Sequence, residues 1–326
     1  MCSPLRKKLP DFPWDALAPY GVKARKHPGG MIDLSQGTPV DPTPEFIQKV
    51  LAESANSPSY PTTAGTPELQ QAIRTWAINH LGITGEFDVL PVIGSKELVA
   101  WLPTFLQSQK VLYPKIAYPT YLVGAMLAQS EEIAVDIDAS QWPQADLAWV
   151  NSPANPTGRV HSEDELRAVI QWSRKNKAVV ISDECYFEFG DGVTPTSIFA
   201  YSDGDNSNLL AVHSLSKRSS LAGYRAAFMV GDPSLIAAIR EIRKHAGMMV
   251  PLPIQHAMIA ALSDDAHVQE QRARYNQRRK TLAPALESIG FKIEHSEAGL
   301  YIWCTRGEDS WKSVEALAQL GILVTP

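Results

Sequence analysis

LLAVHSLSKRSSLAGYR, residues 209–225, says most about the fold, because it joins an apolar run to a lysine. The run at 209–212 is continuous rather than alternating, which is typical of a strand covered on both faces of a sheet. Ser214 and Lys217 follow it at once, and Arg225 stands eight residues beyond the lysine. Parallel α/β sheets bind ligands at the carboxyl ends of their strands. The stretch therefore predicts a buried sheet with a site at its edge.

Four further apolar runs share this continuous pattern, at residues 89–93, 147–150, 178–181 and 226–230. Amphipathic helices are predicted near them, one capped by Thr66 and one by the capping box that begins at Ser162. Strand, helix and strand recur from about residue 88 to residue 232. The pattern predicts an α/β fold with a mostly parallel sheet flanked by helices.

The chain is predicted to divide into three parts. Residues 1–40 form an N-terminal arm and part of the small domain, and the first 33 of them have little periodicity. Residues 41–232 form the large domain. Residues 233–326 form a connecting helix and a smaller α+β domain, with helical patterns at 234–245 and 264–288 and an alternating tail at 291–304.

The composition excludes several classes of protein. The chain has 30 Lys and Arg against 35 Asp and Glu, and this net charge of −5 argues against a nucleic acid or an anionic membrane as partner. No apolar run reaches about 18 residues, so no transmembrane helix is expected. Cys2, Cys185 and Cys304 form no CxxC pair, which favours a reducing cytoplasm. The N-terminus lacks the apolar stretch of a secretory signal, and the histidines lack metal-ligand spacing, so no metal is expected.

Polar side chains also follow the other apolar runs. In chain order they are Gly94-Ser95-Lys96, Asn155-Pro156-Thr157-Gly158, and Asp183 with Tyr186. Each has an ordinary alternative, since Gly-Ser pairs and aspartates cap helices, Asn-Pro-Thr-Gly forms turns, and cations are commonly solvated at the surface. A purely structural sheet does not need polar residues after four strands, so the whole set favours a functional site.

The set resembles the fold-type-I aminotransferases, which use pyridoxal 5′-phosphate (PLP). The similarity runs from about residue 30 to the end and implies the PLP-transferase fold of type I, with residues 41–232 as the PLP-binding domain. The matching pieces are Tyr60 with Gly65, Gly94-Ser95-Lys96, Pro119-Thr120-Tyr121, Asn155-Pro156-Thr157-Gly158, Asp183 with Tyr186, Ser214-Leu215-Ser216-Lys217, and Arg225.

The resemblance implies a catalytic centre at Lys217, Asp183 and Tyr186. Lys217 would hold PLP as a Schiff base and then move a proton as general base and acid. Asp183 would keep the pyridine nitrogen protonated, so that PLP works as an electron sink. Asn155 and Tyr186 would donate to the phenolate oxygen of the cofactor. Tyr121 would stack on its ring.

The resemblance also implies how the phosphate is held. Ser95 and Lys96 stand at a predicted helix N-terminus, where backbone N–H groups and the helix dipole favour an anion. Ser214 and Ser216 would add hydroxyl donors, and Arg225 would add a guanidinium.

Tyr60 bears on assembly and Gly37 on substrate binding. In the family the matching tyrosine reaches the phosphate of the neighbouring subunit, which implies a homodimer; an ordinary loop tyrosine is the alternative. Gly37 and Asn155 would help to bind the substrate α-carboxylate. The family uses an arginine near the C-terminus for this carboxylate, and no arginine follows Arg306. The resemblance therefore leads us to expect that the C-terminal end is missing.

A narrower resemblance is to the actinobacterial type of N-succinyldiaminopimelate aminotransferase. It implies transfer of an amino group between L-glutamate or 2-oxoglutarate and N-succinyl-2-amino-6-oxoheptanedioate, in lysine and diaminopimelate biosynthesis. Candidates for binding the distal carboxylate or the succinyl group are Lys23, Arg25, Arg243 and Lys244. The matching stretches are 9–14, 60–67, 94–103, 244–251 and 295–301.

Other functions stay open at this point. Another fold-type-I aminotransferase, acting on aspartate, acetylornithine or aromatic amino acids, would use the same cofactor residues. So would a PLP carbon–sulfur lyase or a decarboxylase, because the bond that is broken depends on how the substrate is oriented. A regulatory PLP-binding domain without turnover is a further possibility. A nicotinamide dehydrogenase is excluded, since the chain contains no Gly-x-Gly-x-x-Gly.

Overall fold

The computed structural model describes residues 9–326, so positions 1–8 of the predicted arm, which include Cys2 and the segment on which no secretory signal was expected, lie outside the described residues. The helices of the described chain are α1 (Pro13–Ala24), α2 (Glu45–Glu53), α3 (Pro67–Leu81), α4 (Ser95–Phe105), α5 (Thr120–Leu127), α6 (Glu163–Asn176), α7 (Leu215–Arg218), α8 (Pro233–His245), α9 (Leu252–Leu262), α10 (Ala266–Ser288) and α11 (Ser310–Gln319). The strands are β1 (Ile32–Asp33), β2 (Asp88–Val92), β3 (Lys110–Pro114), β4 (Glu131–Val135), β5 (Leu147–Asn151), β6 (Val179–Asp183), β7 (Leu209–Ser214), β8 (Ala227–Gly231), β9 (Lys292–Ile293), β10 (Cys304–Thr305) and β11 (Ile322–Leu323).

Seven strands form one sheet in the order β2-β8-β7-β6-β5-β3-β4. Strand β8 runs antiparallel to both of its neighbours, and the other six strands run in one direction. Helices cover the sheet and bury apolar side chains against it, in two clusters that contain most of the core. The prediction of an α/β fold with a mostly parallel sheet flanked by helices is confirmed.

The five predicted strands correspond to β2, β5, β6, β7 and β8, while β3 and β4 were not predicted. The missed pair lies at one end of the sheet, and β4 is its edge strand. Most of β4 is exposed or half-buried, and β3 begins with Lys110. Edge strands need not be apolar on both faces, so they lack the continuous pattern used to find the others.

The two predicted helix starts are confirmed. The Thr66 hydroxyl accepts a hydrogen bond of 3.2 Å from the amide of Leu69 at the start of α3. Ser162 and Glu165 form both halves of the capping box before α6, with distances of 3.3 and 2.9 Å. These caps satisfy amide groups that a helix leaves without partners in its first turn.

The segment predicted to be a loose arm contains a helix. Helix α1 begins at Pro13 and packs on α11, where the rings of Tyr20 and Trp311 lie 5.4 Å apart. The pattern was weak because its buried face includes Gly21 and Ala24, which carry little apolar signal. Strand β1 then pairs in parallel with β11. The division into three parts stays a prediction.

None of the described helices is long and apolar enough to cross a membrane.

Candidate active site

The carboxyl ends of β5, β6 and β7 meet at one edge of the sheet, and the predicted site residues follow them. Asn151, the last residue of β5, lies opposite Asp183, the last residue of β6. Its amide group donates to the Asp183 carbonyl at 2.8 Å, and its oxygen accepts from the backbone N–H of Asn155 at 2.6 Å. Asn151 was not among the predicted residues, but it fixes the loop that carries Asn155 next to Asp183.

Lys217 lies in the short helix α7, one turn beyond β7. Its ammonium donates to the carbonyl of Gly37, which comes from the distant N-terminal part of the chain. Burial lowers the pKa of Lys217, nearby Cys185 opposes this shift, and the positive charge of Arg225 adds to it. A lowered pKa makes the neutral amine more available, which a nucleophile or general base requires.

Asp183 is buried and bonded to Tyr121. The Tyr121 hydroxyl donates to Asp183 Oδ2 at 2.7 Å, and the amide of Cys185 donates to Oδ1 at 3.2 Å. Burial raises the pKa of Asp183, and the bond from Tyr121 is the largest effect that opposes it. The carboxylate is thus held in one orientation by donors on both oxygens.

This geometry corrects the predicted role of Tyr121. Its ring is fully buried and packs on Trp149 with 5.0 Å between the centroids, so no face is open for a cofactor ring. Tyr118, three residues earlier, is only half-buried and lies edge-to-face with Tyr121 at 6.0 Å. Tyr118 is therefore the tyrosine of this pair with a ring surface available for stacking.

Arg225 lies against the N-terminus of α4. A Cβ added to Gly94 would come within 2.3 Å of the Arg225 guanidinium, and Gly94 has a positive φ of 92°. Arg225 itself has a left-handed φ of 57°, and its Nη1 donates to Ala222 at 2.9 Å. A guanidinium beside the first amides of a helix is a favourable place for a phosphate, and Ser95 is the first residue of that helix.

Three other residues predicted to bind the phosphate lie around this position, and their surroundings differ: Ser214, Ser216 and Lys96. Ser214 caps α7, and its hydroxyl accepts from the amide of Ser216 at 3.2 Å. The side chain of Lys96 is exposed, and its ammonium lies 5.0 Å from the ring centroid of Phe12 and 6.0 Å from that of Tyr118. The predicted contribution of Lys96 is its backbone N–H, which belongs to the first turn of α4.

Tyr186 is buried beside a residue that the sequence did not single out as a site residue. Its ring lies edge-to-face with that of Tyr301, with 6.4 Å between the centroids. Burial raises the pKa of Tyr186 well above its usual value, and Tyr301 raises it further. Tyr301 falls within the 295–301 stretch of the narrower resemblance, which was the only signal that could have identified it. Tyr60, in contrast, is 95% exposed.

Three candidates for binding a distal carboxylate are already paired, and one of them, Lys244, lies 3.5 Å from the Glu241 carboxylate at the surface. Arg243 is fully buried, and its Nη1 lies 2.6 and 2.8 Å from the two carboxylate oxygens of Glu97. The expectation that Arg243 binds substrate is therefore wrong, because its guanidinium is buried in an ion pair that connects α8 to α4. Lys23 is paired with Glu315, which joins α1 to α11.

The residues at this edge fit PLP. A lysine with a lowered pKa, a buried carboxylate with fixed donors, and a guanidinium at a helix N-terminus match the aldehyde, the pyridine nitrogen and the phosphate of that molecule. The glycine at position 94 leaves the room that the Arg225 guanidinium takes beside this helix N-terminus. The sheet and the site thus define a PLP-dependent enzyme of fold type I.

The family follows from comparison with known proteins. The family model described as Aminotransferase class I and II matches residues 29–326. The chain therefore belongs to this family, whose cofactor is PLP.

Three relatives cover 98% of the chain. A 4-dedimethylamino-4-oxo-anhydrotetracycline transaminase of Streptomyces rimosus is 49% identical over 91% of its length. A probable aminotransferase of Mycobacterium tuberculosis is 52% identical over 78% of its length. An LL-diaminopimelate aminotransferase of Dehalococcoides mccartyi is 32% identical over 89% of its length.

A solved structure superposes on most of this chain. The probable N-succinyldiaminopimelate aminotransferase of Thermus thermophilus superposes with a TM-score of 0.88 at 25% identity, over 96% of this chain and 90% of that one.

Proposed function

We propose that this aminotransferase moves an amino group between L-glutamate or 2-oxoglutarate and N-succinyl-2-amino-6-oxoheptanedioate, in the formation of diaminopimelate and lysine. The observation that carries the proposal is the likeness over nearly the whole chain to aminotransferases named for diaminopimelate and its succinyl derivative. The local stretches at 94–103 and 295–301, which resemble the succinyl-specific type, support it.

Each site residue has a proposed task in this reaction. When bound, PLP supplies an electron sink for the bond broken at the substrate Cα. Lys217 holds the cofactor and moves the proton at Cα, for which its lowered pKa is suited. Asp183 holds the proton on the pyridine nitrogen, and Tyr121 orients Asp183 from behind. Tyr118 stacks on the cofactor ring.

The remaining predicted contacts concern the polar groups of cofactor and substrate. Asn155 and Tyr186 donate to the phenolate oxygen, and Gly37 and Asn155 bind the substrate α-carboxylate. The phosphate contacts come from Ser95, the backbone of Lys96, Ser214, Ser216 and Arg225. Their placement around one edge of the sheet supports these roles.

Amino-donor and acceptor profiling tests the substrate. We expect the highest kcat/KM with L-glutamate and N-succinyl-2-amino-6-oxoheptanedioate, above aspartate, acetylornithine and aromatic amino acids. The Lys217→Ala variant is the control for background transfer. A higher kcat/KM for any of the other pairs would reject this substrate and leave the class of enzyme unchanged.

A second candidate substrate rests on the relative from Streptomyces rimosus. Its name describes transamination of a polycyclic oxo compound, and it is 49% identical over nearly all of this chain. The exposed Phe12, whose ring lies 5.0 Å from the Lys96 ammonium at the start of α4, offers aromatic surface near the site. A polycyclic ketone belongs in the same acceptor panel, and a preference for it would favour this candidate.

We also propose a cytoplasmic homodimer in which Tyr60 reaches the phosphate of the partner site. The side chain of Tyr60 is 95% exposed in the single chain, and so is available to a second copy. Sedimentation of the PLP-loaded protein tests the dimer. Mixing Tyr60→Phe with Lys217→Ala tests the shared site, because a mixed dimer then contains one site that has both residues intact. A monomeric protein, or no recovery on mixing, would reject the proposal.

A further inference from the structure

The segment at residues 296–301 is bonded between the two loops that carry Asn155 and Tyr186. On one side, the amide of Ser296 donates to the carbonyl of Thr157 at 2.9 Å. On the other side, the amide of Gly299 donates to the carbonyl of Phe189 at 2.9 Å. The 296–301 segment is therefore fixed to the large sheet's loops.

Arg279 of α10 holds the same segment from behind. Its side chain is only 11% exposed, and its nearest carboxylate, Asp191, is 3.9 Å away. Its guanidinium instead donates to three carbonyls of the segment, those of Ser296 at 2.9 Å, Gly299 at 2.6 Å and Tyr301 at 3.3 Å. A buried guanidinium that donates hydrogen bonds to backbone carbonyls fixes the path of the chain, and hence the position of Tyr301.

The Tyr301 hydroxyl comes to the reaction centre. A Cβ added to Gly37 would lie 2.4 Å from the Tyr301 hydroxyl oxygen, and the Gly37 carbonyl accepts from Lys217. Tyr186 is on the other side, and its protonated form is stabilised by burial and by the Tyr301 hydroxyl. The two rings lie edge-to-face with 6.4 Å between their centroids, so Tyr301 lies next to both Tyr186 and Gly37.

We propose that Tyr301, positioned by Arg279, donates a hydrogen bond to the substrate carboxylate that binds at Gly37. The inference rests on the proposed function, because it assigns a further contact to the same site. It names a donor for that carboxylate among the described residues. A carboxylate is the class of ligand expected, since a phenol hydroxyl that can donate a hydrogen bond suits an anionic oxygen.

Binding of an unreactive dicarboxylate tests the proposal without turnover. Calorimetry with glutarate and the PLP-loaded protein compares the wild type with Tyr301→Phe. We expect binding to weaken about 10- to 100-fold, the usual range for a lost hydrogen bond to a charged group. The matched control is Tyr20→Phe, whose ring packs on Trp311 away from the site, and it should bind glutarate as the wild type does.

PLP affinity is the second measurement, because it separates a substrate contact from a cofactor contact. Tyr301→Phe should bind PLP within a few-fold of the wild type, and Arg279→Lys should lose glutarate binding as Tyr301→Phe does. Unchanged glutarate binding in Tyr301→Phe, a wild type that binds no glutarate, or a large loss of PLP affinity would each overturn the proposal. If the glutarate difference stands but no amino transfer occurs, the proposed function fails and the Tyr301 contact survives.

Discussion

The hydroxyl of Tyr121 donates a 2.7 Å hydrogen bond to the carboxylate of Asp183, from the side of the protein core. Tyr121 is fully buried, so this donor cannot be replaced by water when it is removed. The pair therefore sets both the orientation and the protonation of the carboxylate that is proposed to face the cofactor.

Tyr121→Phe should raise the pKa of Asp183 further, because the main effect opposing burial is lost. As the pH falls, the carboxylate will then be protonated earlier and activity will be lost earlier. The acidic limb of the kcat/KM profile therefore shifts to higher pH. The rate at neutral pH should fall about tenfold or more, as expected for a lost hydrogen bond to a charge. An acidic limb at the wild-type pH would contradict this role.

Lys217→Ala should abolish amino transfer and the visible absorbance that depends on covalent attachment of PLP. The fold should persist, because the lysine is half-buried and bonds only to the Gly37 carbonyl among the hydrogen bonds of the described chain. Absorbance spectra, activity and far-UV circular dichroism check the three statements. Retained absorbance and activity would reject the assignment of the lysine.

Gly94→Ala should displace the Arg225 guanidinium, since the new Cβ would lie 2.3 Å from it on a backbone with φ of 92°. PLP affinity should fall about tenfold or more through loss of a charge-assisted contact to phosphate. Gly223→Ala is the matched control, because no heavy atom lies within 4 Å of its added Cβ. Equal PLP dissociation constants for the two variants would show that the guanidinium does not bind the phosphate.

Arg243→Met should destabilise the protein by about 3–5 kcal/mol, because it leaves the Glu97 carboxylate buried without its partner. The double variant Arg243→Met with Glu97→Gln should recover part of this loss. Urea unfolding of the single and double variants measures both effects. A single variant as stable as the wild type would mean that the carboxylate finds another partner.

The ion pair of Asp41 should make the stability of the fold depend on pH, with the stabilisation lost at low pH. Its bonds to Arg278 and Gln271 lower its pKa from 3.8 to about 2 in the folded chain, so the pair stabilises the fold fully above 3.8. This contribution is lost as the pH falls through about 2. The difference in melting temperature between the wild type and Asp41→Asn should thus shrink between pH 4 and pH 2. A difference that stays constant over this range would contradict it.

The sequence was sufficient for those parts of the fold and site that follow from local pattern. Buried strands such as β5 and β6 are apolar throughout, and Ser162 caps its helix through residues three positions away. Such features need no knowledge of distant contacts. The edge strand β4 was missed for the opposite reason, since one of its sides meets solvent and its residues are mixed.

The site residues that could not be predicted depend on contacts between distant parts of the chain. Tyr118 and Tyr121 are equivalent in the pattern Tyr-Pro-Thr-Tyr, and only burial against Trp149 decides which ring is open. Likewise, Arg243 looks like a surface cation until Glu97, 146 positions away, is placed beside it.

The pairing of β1 with β11 has a consequence for how the protein is made. Gly37 follows β1 by a few residues, and β1 is held by residues 322–323, about three hundred positions later in the chain. A ribosome must therefore translate and release residues 322–323 before their pairing with β1 can help to fix the Gly37 carbonyl against Lys217. Nascent chains that stop earlier would complete the sheet but not the lysine's environment, so quality control during synthesis would meet a folded core with an unfinished reaction centre.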